Sequence, residues 1–569
     1  MPSPEPSRST AEIESASAHD SAANDPSGTT RQVPPAAPRA RSWLWPILGL
    51  GLLTRLIAFA WNDRLFGDVN LYALVARQWS ETGRLDYPGK FDFFDPTPYL
   101  TLSSPVSQHP PAWSWLAGLL ASLPVGLDEF TALKILGLLC GLAVIALGMA
   151  LARSLLQNPQ APVIGTASAQ PQASSVNARI TVVGLVLALH PMLVDFSANG
   201  SPYIAVAAGA LAVALAILAN DRPDWQRALL AGFGATLAWQ VHGAGMLLVP
   251  AGLFGLALNP HPGTRSRLRL LTGYLVTTAL LLAPLLAWNY THFGTLLHST
   301  STFYLPGKLG LVTIQDDPSG IHYAVGALGW QHVGPYLSLA LASSGHFLLH
   351  LGLETGVFGL GLAAFFGFTL WRTPAAQRRS LLSLLAVVLA IAAPCLGWPE
   401  FKYRFLVLIL PFVLILATLG GAQLLTRLRH RTATRTLLAV TALACLAFWA
   451  VQIALTGSPA KYYAYDREHL RDYQQMRAAA AYLKTQPPGV LIAFSDPLDG
   501  GTEATWWHHH PTVSVRGVAP DSLHRLIRDF KPSYLLLSPS RRGDVPPSAQ
   551  LRYENAGFLV YTLPSEMGK

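Results

Sequence analysis

The sequence predicts a polytopic α-helical membrane protein with a small α/β domain at its C-terminal end. Three observations lead to this fold class. Of the 569 residues, 51% are hydrophobic and only 12% are charged. Apolar runs of bilayer-spanning length recur along the chain, and the residues after 456 change to alternating helix and strand patterns. Because soluble domains carry about 25% charged residues, the composition excludes an ordinary soluble protein.

Residues 1–42 are rich in Pro, Ser, Ala and Thr and carry scattered charges. Such a composition cannot bury a core, so we expect a disordered cytoplasmic tail. No signal-peptide pattern starts at Met1. The first apolar run, from about Trp43 to Trp61, is therefore expected to be a retained spanning helix.

Eleven apolar runs predict a transmembrane domain over residues 43–455. Each run is close to the length that crosses about 30 Å of hydrocarbon. The runs cover residues 43–61, 131–152, 180–196, 202–219, 227–241, 243–258, 270–289, 353–371, 380–397, 404–425 and 435–455.

The positions of the arginines orient these helices. With the N-terminus in the cytoplasm, the short loops "NDRPDWQR", "NPHPGTRSRLR", "WRTPAAQRR" and "TRLRHRTATR" all face the cytoplasm, as the positive-inside rule requires. This orientation requires that residues 112–126 and 335–351 do not cross, and both are predicted to be short interfacial helices. The loops 62–130 and 290–352 then lie outside. Residue usage rich in Ala, Arg, Pro and Gly indicates a bacterial plasma membrane.

The formal net charge of +9 does not indicate nucleic-acid binding, because cytoplasmic loops of polytopic proteins collect Lys and Arg. The expected surroundings are membrane lipids. Cys140, Cys395 and Cys445 lie inside apolar runs without metal-ligand spacing, which indicates small buried side chains.

Residues 456–569 predict a small extracytoplasmic α/β domain. "EHLRDYQQMRAAAAYLKTQ" has a helical pattern, and a second helix is expected near 520–530. The segments "GVLIAFSD", "TVSVRG" and "SYLLLS" are typical of strands separated by turns.

Ionisable residues at membrane depth are costly and are therefore candidates for function. The topology places a set of them on the outer face, although the sequence does not show that they converge. This set comprises Arg55, Asp68, Asp195, His242, Glu400, Lys402 and Arg404.

Asp68 opens "DVNLYALVARQW", directly after the first outer connection. Leu71, Tyr72, Val75 and Trp79 recur at helical spacing, so this segment can lie in the interface with one apolar face. Asp68 has two interpretations at this point. It is either an N-cap of the helix or a catalytic acid.

Lys402 and Arg404 lie at the outer mouth of the apolar helix in "GWPEFKYRFLVLILP", with Glu400 just before them. Cations on the outer side run against the positive-inside bias. They either snorkel to lipid headgroups or form a clamp for a lipid-linked phosphate.

Two further motifs suggest metal ligands. In "QDDPSGIHY", Asp316, Asp317 and His322 are better explained as a turn before proline. In "TWWHHHP", consecutive residues on a strand would point to opposite faces, so a structural or acceptor-facing role is favoured. No Gly-rich phosphate loop, GxSxG elbow or zinc spacing is present in the sequence. We therefore expect no required cofactor, and a divalent metal is not supported by spacing.

The motifs together resemble the GT-C superfamily of membrane glycosyltransferases, in the branch of protein O-mannosyltransferases and the aminoarabinose transferase of lipid A. The resemblance rests on "TRLIAFAW", "GDVNLYALVARQW", "HPPAWSWLAGLL", "PLLAWNYTHFG", "KYRFLVLILPFVLILA" and a soluble domain with "SDP…TWWHHHPTVSV", in this order.

The resemblance implies a sugar donor carried on a polyprenyl phosphate and a catalytic acid on the first outer loop, which Asp68 matches. It implies that Arg404 contacts the phosphate. The segment "DFSANGSPY" offers Asn199 and Ser201 where relatives often carry an acid and an arginine, so Asp195, one turn earlier, is the candidate second acid. The candidate substrate-binding residues are Arg55, Tyr72, His109, Asn199, Tyr203, His242, Glu400, Lys402, Tyr403 and Arg404.

The sequence thus predicts transfer of a hexose or pentose from a polyprenyl phosphate to a hydroxyl of a lipid, glycan or protein acceptor. Asp68 would be the general base of an inverting single displacement. Two alternatives remain at this point: a transporter or flippase of lipid-linked sugars, and a non-catalytic membrane scaffold. A transporter is expected to have repeated halves and charges at the midplane, whereas this chain concentrates polar residues at the outer edge.

Overall fold

A computed structural model describes most of the chain after residue 42. The described residues are 43–61, 68–90, 102, 104–106, 109–157, 173–219, 222–258, 263–298, 301–317, 320–356, 359–372, 375–427, 467–494, 508–515 and 520–564. The predicted tail at 1–42 and the predicted spanning helix at 435–455 lie outside this part of the chain.

Helices α1 to α10 form the first half of the protein. Their bounds are α1 Leu44–Trp61, α2 Asp68–Thr82, α3 Ala112–Ala121, α4 Glu129–Gln157, α5 Ala173–Leu189, α6 Pro191–Ala198, α7 Tyr203–Leu218, α8 Asp224–Val241, α9 Leu248–Leu258 and α10 Thr264–Phe293.

Seven further helices complete the helical part of the described chain. They are α11 Ser301–Lys308, α12 Val333–Glu354, α13 Gly359–Trp371, α14 Ala375–Leu396, α15 Leu406–Arg427, α16 Arg467–Lys484 and α17 Pro520–Phe530. Short 3₁₀ turns cover Gly243–Gly245, Trp330–His332, Tyr403–Phe405 and Pro539–Asp544. Most of the predicted apolar runs between 43 and 425 fall on these helices. The run at 243–258, however, consists of a 3₁₀ turn and the 11-residue α9, and the run at 353–371 begins at the end of α12 and ends with the 13-residue α13.

Five described helices are long and apolar enough to cross a membrane, and a bent pair of helices would make a sixth. The five are Glu129–Leu156, Thr264–Phe293, Trp330–Glu354, Arg378–Leu396 and Tyr403–Leu425. The prediction of a helical membrane protein with several spans is thus confirmed.

The two segments predicted as short interfacial helices differ from each other. Helix α3 has 10 residues, about 15 Å of rise, and is too short to cross. Helix α12 has 22 residues, so the prediction of a short helix at 335–351 is wrong in length. Ser343, Ser344 and Gly345 interrupt the apolar run in the sequence, but the Ser344 hydroxyl donates to the Leu396 carbonyl oxygen at 2.8 Å and the helix continues.

The run predicted as one helix at 180–196 is broken into α5 and α6, which meet at 55°. Pro191 begins α6 and has no N–H to donate back into α5, so carbonyl groups at the end of α5 lose their helical partners. The Arg55 guanidinium replaces the missing backbone donors. It donates to the carbonyl oxygens of Ala188 at 3.1 Å and Leu187 at 3.3 Å.

Helix α7 lies at the centre of the helical core, and all of its residues are buried. Small residues allow α7 to approach α8 closely. A Cβ added at Gly209 would lie 2.4 Å from the carbonyl oxygen of Gly234, so only glycine fits at this crossing. Close packing through small residues is the usual means of association between helices in lipid.

Ten strands form three sheets in the described chain. They are β1 Asp86–Tyr87, β2 Gly89–Lys90, β3 Ser104–Pro105, β4 Val312–Asp317, β5 Gly320–Val325, β6 Leu491–Phe494, β7 Thr512–Val515, β8 Tyr534–Leu537, β9 Gln550–Glu554 and β10 Leu559–Thr562. Strands β1 and β3 pair antiparallel, and β4 and β5 form a hairpin. The segment "QDDPSGIHY" forms most of this hairpin.

The C-terminal sheet has six strands in the order β2-β7-β6-β8-β10-β9. The first four strands are parallel to one another, whereas β10 pairs antiparallel with both β8 and β9. Apolar side chains of α16 and α17 pack with the sheet in two separate clusters. The predicted small domain of alternating helices and strands is therefore present as a mixed sheet, and its edge strand β2 comes from the first outer loop.

Candidate active site

The ends of several helices meet around the carboxylate of Asp68. Asp68 begins α2, and Tyr203 begins α7. Arg404 lies in the 3₁₀ turn before α15, and His242 follows the last residue of α8. His109 lies shortly before α3. Residues far apart in the sequence therefore converge.

The Asp68 carboxylate contacts three of these side chains through its Oδ2 atom. Arg404 Nη1 lies 3.1 Å away and forms an ion pair. The Tyr203 hydroxyl donates a hydrogen bond at 3.3 Å. His109 Nε2 lies 3.8 Å away, which is beyond hydrogen-bond range but close enough for charge attraction when the imidazole is protonated. The Asp68 side chain is only 13% exposed, so these contacts are little screened.

Four aromatic rings line this pocket in a continuous series. The His109 ring stacks on Tyr72 on one side and on His242 on the other, each with centroids 5.2 Å apart. His242 in turn packs against Tyr203 at 4.6 Å. The Arg404 guanidinium lies 5.7 Å from the Tyr203 ring centroid. The predicted substrate-binding residues Tyr72, His109, Tyr203 and His242 are therefore neighbours.

The pKa of the Asp68 carboxyl lies well below its usual value. Burial alone would raise this pKa, but the Arg404 guanidinium, His109 and Lys402 favour the ionised form and together outweigh burial. Burial and the nearby Asp68 charge raise the pKa of the Tyr72 phenol, so Tyr72 stays protonated at neutral pH. The pocket thus pairs a carboxylate with a neutral phenol.

Two buried polar atoms of this pocket have no hydrogen-bond partner among the described residues. They are the Tyr72 hydroxyl and His109 Nε2. Leaving a buried polar atom without a partner costs about 1–3 kcal/mol, so such atoms indicate a place where a polar ligand binds. The hydroxyl groups of a sugar have the required donors and acceptors.

A second group of charges lies beside Arg404. Glu400 Oε2 is 2.9 Å from Lys308 Nζ and 3.5 Å from Lys402 Nζ, so one carboxylate serves two lysines. Burial and the neighbouring Arg404 lower the pKa of Lys402, while Glu400 acts in the opposite direction. Sequence reasoning missed Lys308. Its position at the end of α11, in the second outer loop, offered no spacing signal.

The loop between α6 and α7 is held against α2 and α3. Gly200 has φ +82°, a conformation that favours glycine, and a Cβ there would lie 3.0 Å from Leu133 Cβ. The Gly200 carbonyl oxygen accepts from Trp113 Nε1 at 2.9 Å, and Asn199 Oδ1 accepts from the backbone N–H of Ser201. This loop fixes the start of α7 and with it Tyr203.

Asp195 and Asn199 lie one turn apart at the end of α6, and both are buried. Asp195 Oδ2 and Asn199 Nδ2 have no hydrogen-bond partner among the described residues. Among the described residues, no hydrogen bond or ion pair links either side chain to Asp68. Asp195 as a second acid and Asn199 as a substrate-binding residue therefore stay predictions.

Arg55 and Tyr403, two of the predicted substrate-binding residues, make contacts outside the Asp68 pocket. Arg55 is fully buried at the break between α5 and α6, where Nε also donates to the Ser197 hydroxyl at 3.1 Å. These bonds give Arg55 a structural role, and substrate binding stays a prediction. The Tyr403 hydroxyl lies 3.1 Å from His350 Nδ1, next to the Phe401 ring.

The three histidines of "TWWHHHP" lie just before β7 rather than on a strand. The His510 ring lies within hydrogen-bond distance of the Leu483 and Gly489 carbonyl oxygens, and the backbone N–H of His510 donates to His508 Nδ1 at 3.0 Å. His509 Nδ1 lies 3.2 Å from Arg77 Nη1 of α2. Within the described ranges, no group of three or more His, Cys, Asp or Glu side chains could hold a metal ion.

Comparison with solved structures identifies the fold. The chain superposes on ArnT from Cupriavidus metallidurans in the apo state with a TM-score of 0.59 at 15% identity, covering 93% of this chain and 99% of ArnT. It superposes on the oligosaccharyltransferase AglB from Archaeoglobus fulgidus, in complex with an inhibitory peptide and a dolichol-phosphate, with a TM-score of 0.55 at 13% identity. That match covers 92% of this chain and 74% of AglB.

The apo form of the Archaeoglobus fulgidus oligosaccharyltransferase gives a TM-score of 0.52 at 13% identity, over 92% of this chain and 75% of that one. No protein-family model and no curated protein matches the chain. At these identities the matches establish the fold. The resemblance drawn from the sequence motifs is thus confirmed at the level of the fold, which this chain shares with ArnT and AglB.

Proposed function

We propose that this protein transfers a hexosyl or pentosyl group from a polyprenyl phosphate to an acceptor hydroxyl on the extracytoplasmic face of the membrane. The observation that carries the proposal is the buried contact of Asp68 with Arg404 at 3.1 Å, beside the lysines that share Glu400. A potential base and a cluster of cations thus lie together in one pocket.

Each group has a role in such a transfer. The acceptor oxygen attacks C1 of the sugar, and the bond between C1 and the phosphate oxygen breaks. The electron pair of that bond leaves with the phosphate, and the hydroxyl proton moves to Asp68. A general base typically contributes about 10²–10⁴-fold. Arg404 and Lys402 stabilise the charge on the departing phosphate, which as a stable anion needs no acid. A single displacement inverts the anomeric centre.

The ion pair with Arg404 makes Asp68 a weak base before the donor binds, because its pKa is held well below the usual value. A donor phosphate competes with Asp68 for the same guanidinium. As Arg404 turns toward the phosphate, the Asp68 carboxylate loses its strongest stabilising partner and becomes more basic. The base is thereby strengthened when donor and acceptor are both present.

The fold match supports the lipid carrier. AglB was solved with a dolichol-phosphate and an inhibitory peptide. For the present chain we propose a polyprenyl-phosphate donor and a lipid, glycan or protein acceptor. The scheme uses no cofactor.

The contacts also support the proposed orientation in a bacterial plasma membrane. Ser266 donates to Asp224 and Arg267 donates to the Ala257 carbonyl oxygen, so the arginine-rich ends of α8, α9 and α10 meet. Helix α8 then runs 18 residues, about 27 Å, to His242 in the pocket. The arginines and the pocket thus lie at opposite ends of one helix. We accordingly propose about eleven spans within residues 43–455, a cytoplasmic N-terminal tail at 1–42 and an extracytoplasmic domain at 456–569. In this arrangement α12 does not cross, because both of its halves contact residues 396–403.

Donor turnover tests the proposal. The purified protein is incubated with labelled polyprenyl-phosphate sugars and candidate acceptors, and transfer is compared between the wild type and Asp68→Asn. We expect a loss of about 10²–10⁴-fold in the variant, with binding of polyprenyl phosphate retained. Asp529→Asn, a change at a partly exposed residue of α17, serves as the control and should retain full transfer. Undiminished transfer by Asp68→Asn would exclude Asp68 as the base.

A further inference from the structure

The helix that carries Asp68 contacts the C-terminal domain at its other end. Asp68 is the first residue of α2, and Arg77 lies about 13 Å further along the helix axis. Between them, seven of the eight residues are buried, from Val69 to Ala76. Helix α2 is therefore packed along its length between the pocket and the domain.

The far end of α2 is held by two neighbours. Arg77 Nε lies 3.8 Å from Glu129 Oε2 at the start of α4, and Ser80 donates to Glu129 Oε1 at 2.8 Å. Arg77 Nη1 lies 3.2 Å from His509 Nδ1. Because a guanidinium can only donate, the His509 nitrogen must be the unprotonated acceptor.

The C-terminal sheet holds His509 in an unusual backbone conformation. His509 has φ +65°, which costs a residue other than glycine roughly 1–2 kcal/mol. The neighbours on both sides keep it there. The His510 ring is placed against Leu483 and Gly489, and β7 begins two residues after His510. The strained residue is thus fixed by the sheet and directed at Arg77.

The chain that follows α2 makes a second connection to the C-terminal sheet. Strand β2, shortly after α2, pairs in parallel with β7 through Gly89 with Thr512 and Lys90 with Val513. Leu102 packs against the apolar cluster on one face of the sheet. The segment from α2 to residue 102 is therefore attached to the domain on which His509 lies.

We propose that His509 is a positioning residue, through which the C-terminal domain fixes α2 and holds Asp68 against Arg404 and Tyr203. This rests on the proposed function of the Asp68 pocket. His509 does not touch the pocket itself. It acts through Arg77 and the helix, so its loss should impair the chemical step more than donor binding, which Arg404 and Lys402 provide.

Three variants separate the side-chain contact from the backbone strain. His509→Gly relieves the positive φ and removes the contact. His509→Asn also tolerates that φ and keeps an acceptor. Arg77→Gln removes the guanidinium charge and its forked donors and leaves only an amide on a shorter side chain. We expect His509→Gly and Arg77→Gln each to lower kcat about 10-fold with KM within about twofold, and His509→Asn to recover to within about threefold of wild type. Arg542→Gln, on the exposed surface of the same domain, is the control and should behave as wild type.

The double variant and hydrogen exchange give two decisive readouts. If His509 acts only through Arg77, the double variant His509→Gly with Arg77→Gln should be no slower than Arg77→Gln alone, which also loses the contact with Glu129. Amide exchange of residues 68–82 should be faster in His509→Gly, with α7 unchanged. Additive losses, or wild-type kcat and exchange in His509→Gly, would overturn the proposal. The exchange result decides the role of His509 even if no sugar donor is turned over, which would instead defeat the proposed function.

Discussion

The Arg404 guanidinium lies 3.1 Å from the Asp68 carboxylate, in a pocket where both side chains are less than one-fifth exposed. A pair at this depth is little screened by solvent. Removing one partner leaves the other charge buried without compensation, which is strongly destabilising. The pair therefore has to be preserved or replaced by a ligand. A donor phosphate that binds Arg404 offers such a replacement.

Arg404→Gln should weaken donor binding, because the glutamine keeps hydrogen-bonding capacity but loses the charge that a phosphate requires. We expect kcat/KM to fall by about 100-fold or more, equal to roughly 2.7 kcal/mol. Arg404→Lys should recover part of this loss, since the charge returns without the forked donor geometry. The measurement is the Kd for polyprenyl phosphate together with transfer kinetics.

Arg372 provides the matched control for this change. It lies at the end of α13, with its guanidinium over the Phe368 ring. Arg372→Gln should leave the Kd unchanged. If Arg404→Gln binds polyprenyl phosphate within about twofold of wild type, the phosphate role of Arg404 is wrong.

Glu400→Gln should have the opposite effect on donor affinity. Glu400 shares its carboxylate between Lys308 and Lys402, so its removal leaves both ammonium groups available to a phosphate. We expect about 3- to 10-fold tighter binding at low salt, because half-exposed ion pairs are worth up to about 1 kcal/mol each. The gain should shrink as ionic strength rises.

Glu554→Gln is the control for this variant, because Glu554 also pairs with a cationic side chain, that of Arg542, but lies on β9. It should not alter the Kd. Weaker binding by Glu400→Gln would show that Glu400 organises the two lysines for the phosphate rather than competing with it.

The apolar runs of the sequence predicted most of the helices, because a helix that faces lipid needs a continuous run of apolar residues of a defined length. The break at Pro191 was not predicted. Its signal is a single proline, and the arginine that satisfies the freed carbonyl groups comes from α1. The helix at 333–354 was mistaken for a short one because hydroxyl and glycine residues lower its apolar character without ending the helix.

The site was only partly predictable for a related reason. Asp68 and Arg404 are individually conspicuous, as an acid at a helix start and a cation on the unexpected side of the membrane. Their contact depends on the packing of α2 against the turn before α15, which no local pattern encodes. Lys308 and the contact between Arg77 and His509 depend on tertiary structure alone. The triple histidine was noticed, but its position before β7 and the positive φ of His509 were not predictable.

The pH dependence of transfer should differ between the free enzyme and the donor complex. In the free enzyme the pKa of Asp68 lies well below its usual value, so Asp68 is ionised at neutral pH. Its contribution to stability is present above the unfolded value of about 3.9 and is lost as the pH falls through the lower folded pKa. A bound phosphate draws Arg404 away and adds negative charge, and both effects raise the pKa of Asp68.

The acidic limb of kcat should therefore lie at higher pH than the acidic limb of kcat/KM, because kcat reports the complex and kcat/KM the free enzyme. Full pH profiles of both constants, measured in the same buffers with one donor, provide the comparison. Coincident limbs would mean that the phosphate does not compete for Arg404. A reversed order would mean that donor binding strengthens the pair of Asp68 with Arg404.

Arg55 offers a test that separates a structural role from the predicted substrate-binding role. Its guanidinium donates to Gly51, Leu187 and Ala188 carbonyl oxygens and to the Ser197 hydroxyl, all within the protein. Arg55→Met removes these donors. The Thr54 hydroxyl still donates to the Gly51 and Ala188 carbonyl oxygens, but the Leu187 carbonyl oxygen and the Ser197 hydroxyl lose the guanidinium, each at a cost of about 1–3 kcal/mol. We expect a fall in Tm of several degrees in detergent, and a smaller fall for Arg55→Lys, whose single ammonium cannot serve both helices.

The folded fraction of Arg55→Met should bind polyprenyl phosphate with the wild-type Kd, because the hydrogen bonds of the Arg55 guanidinium lie at the junction of α5 and α6 and not at Asp68. Arg153→Met, an exposed change on α4, controls for the loss of an arginine and should leave both Tm and Kd unchanged. A weakened Kd with an unchanged Tm would favour substrate binding. A lowered Tm with an unchanged Kd would assign Arg55 to the break between the helices, where it holds α6 at the angle that places the Gly200 loop and Tyr203 beside Asp68.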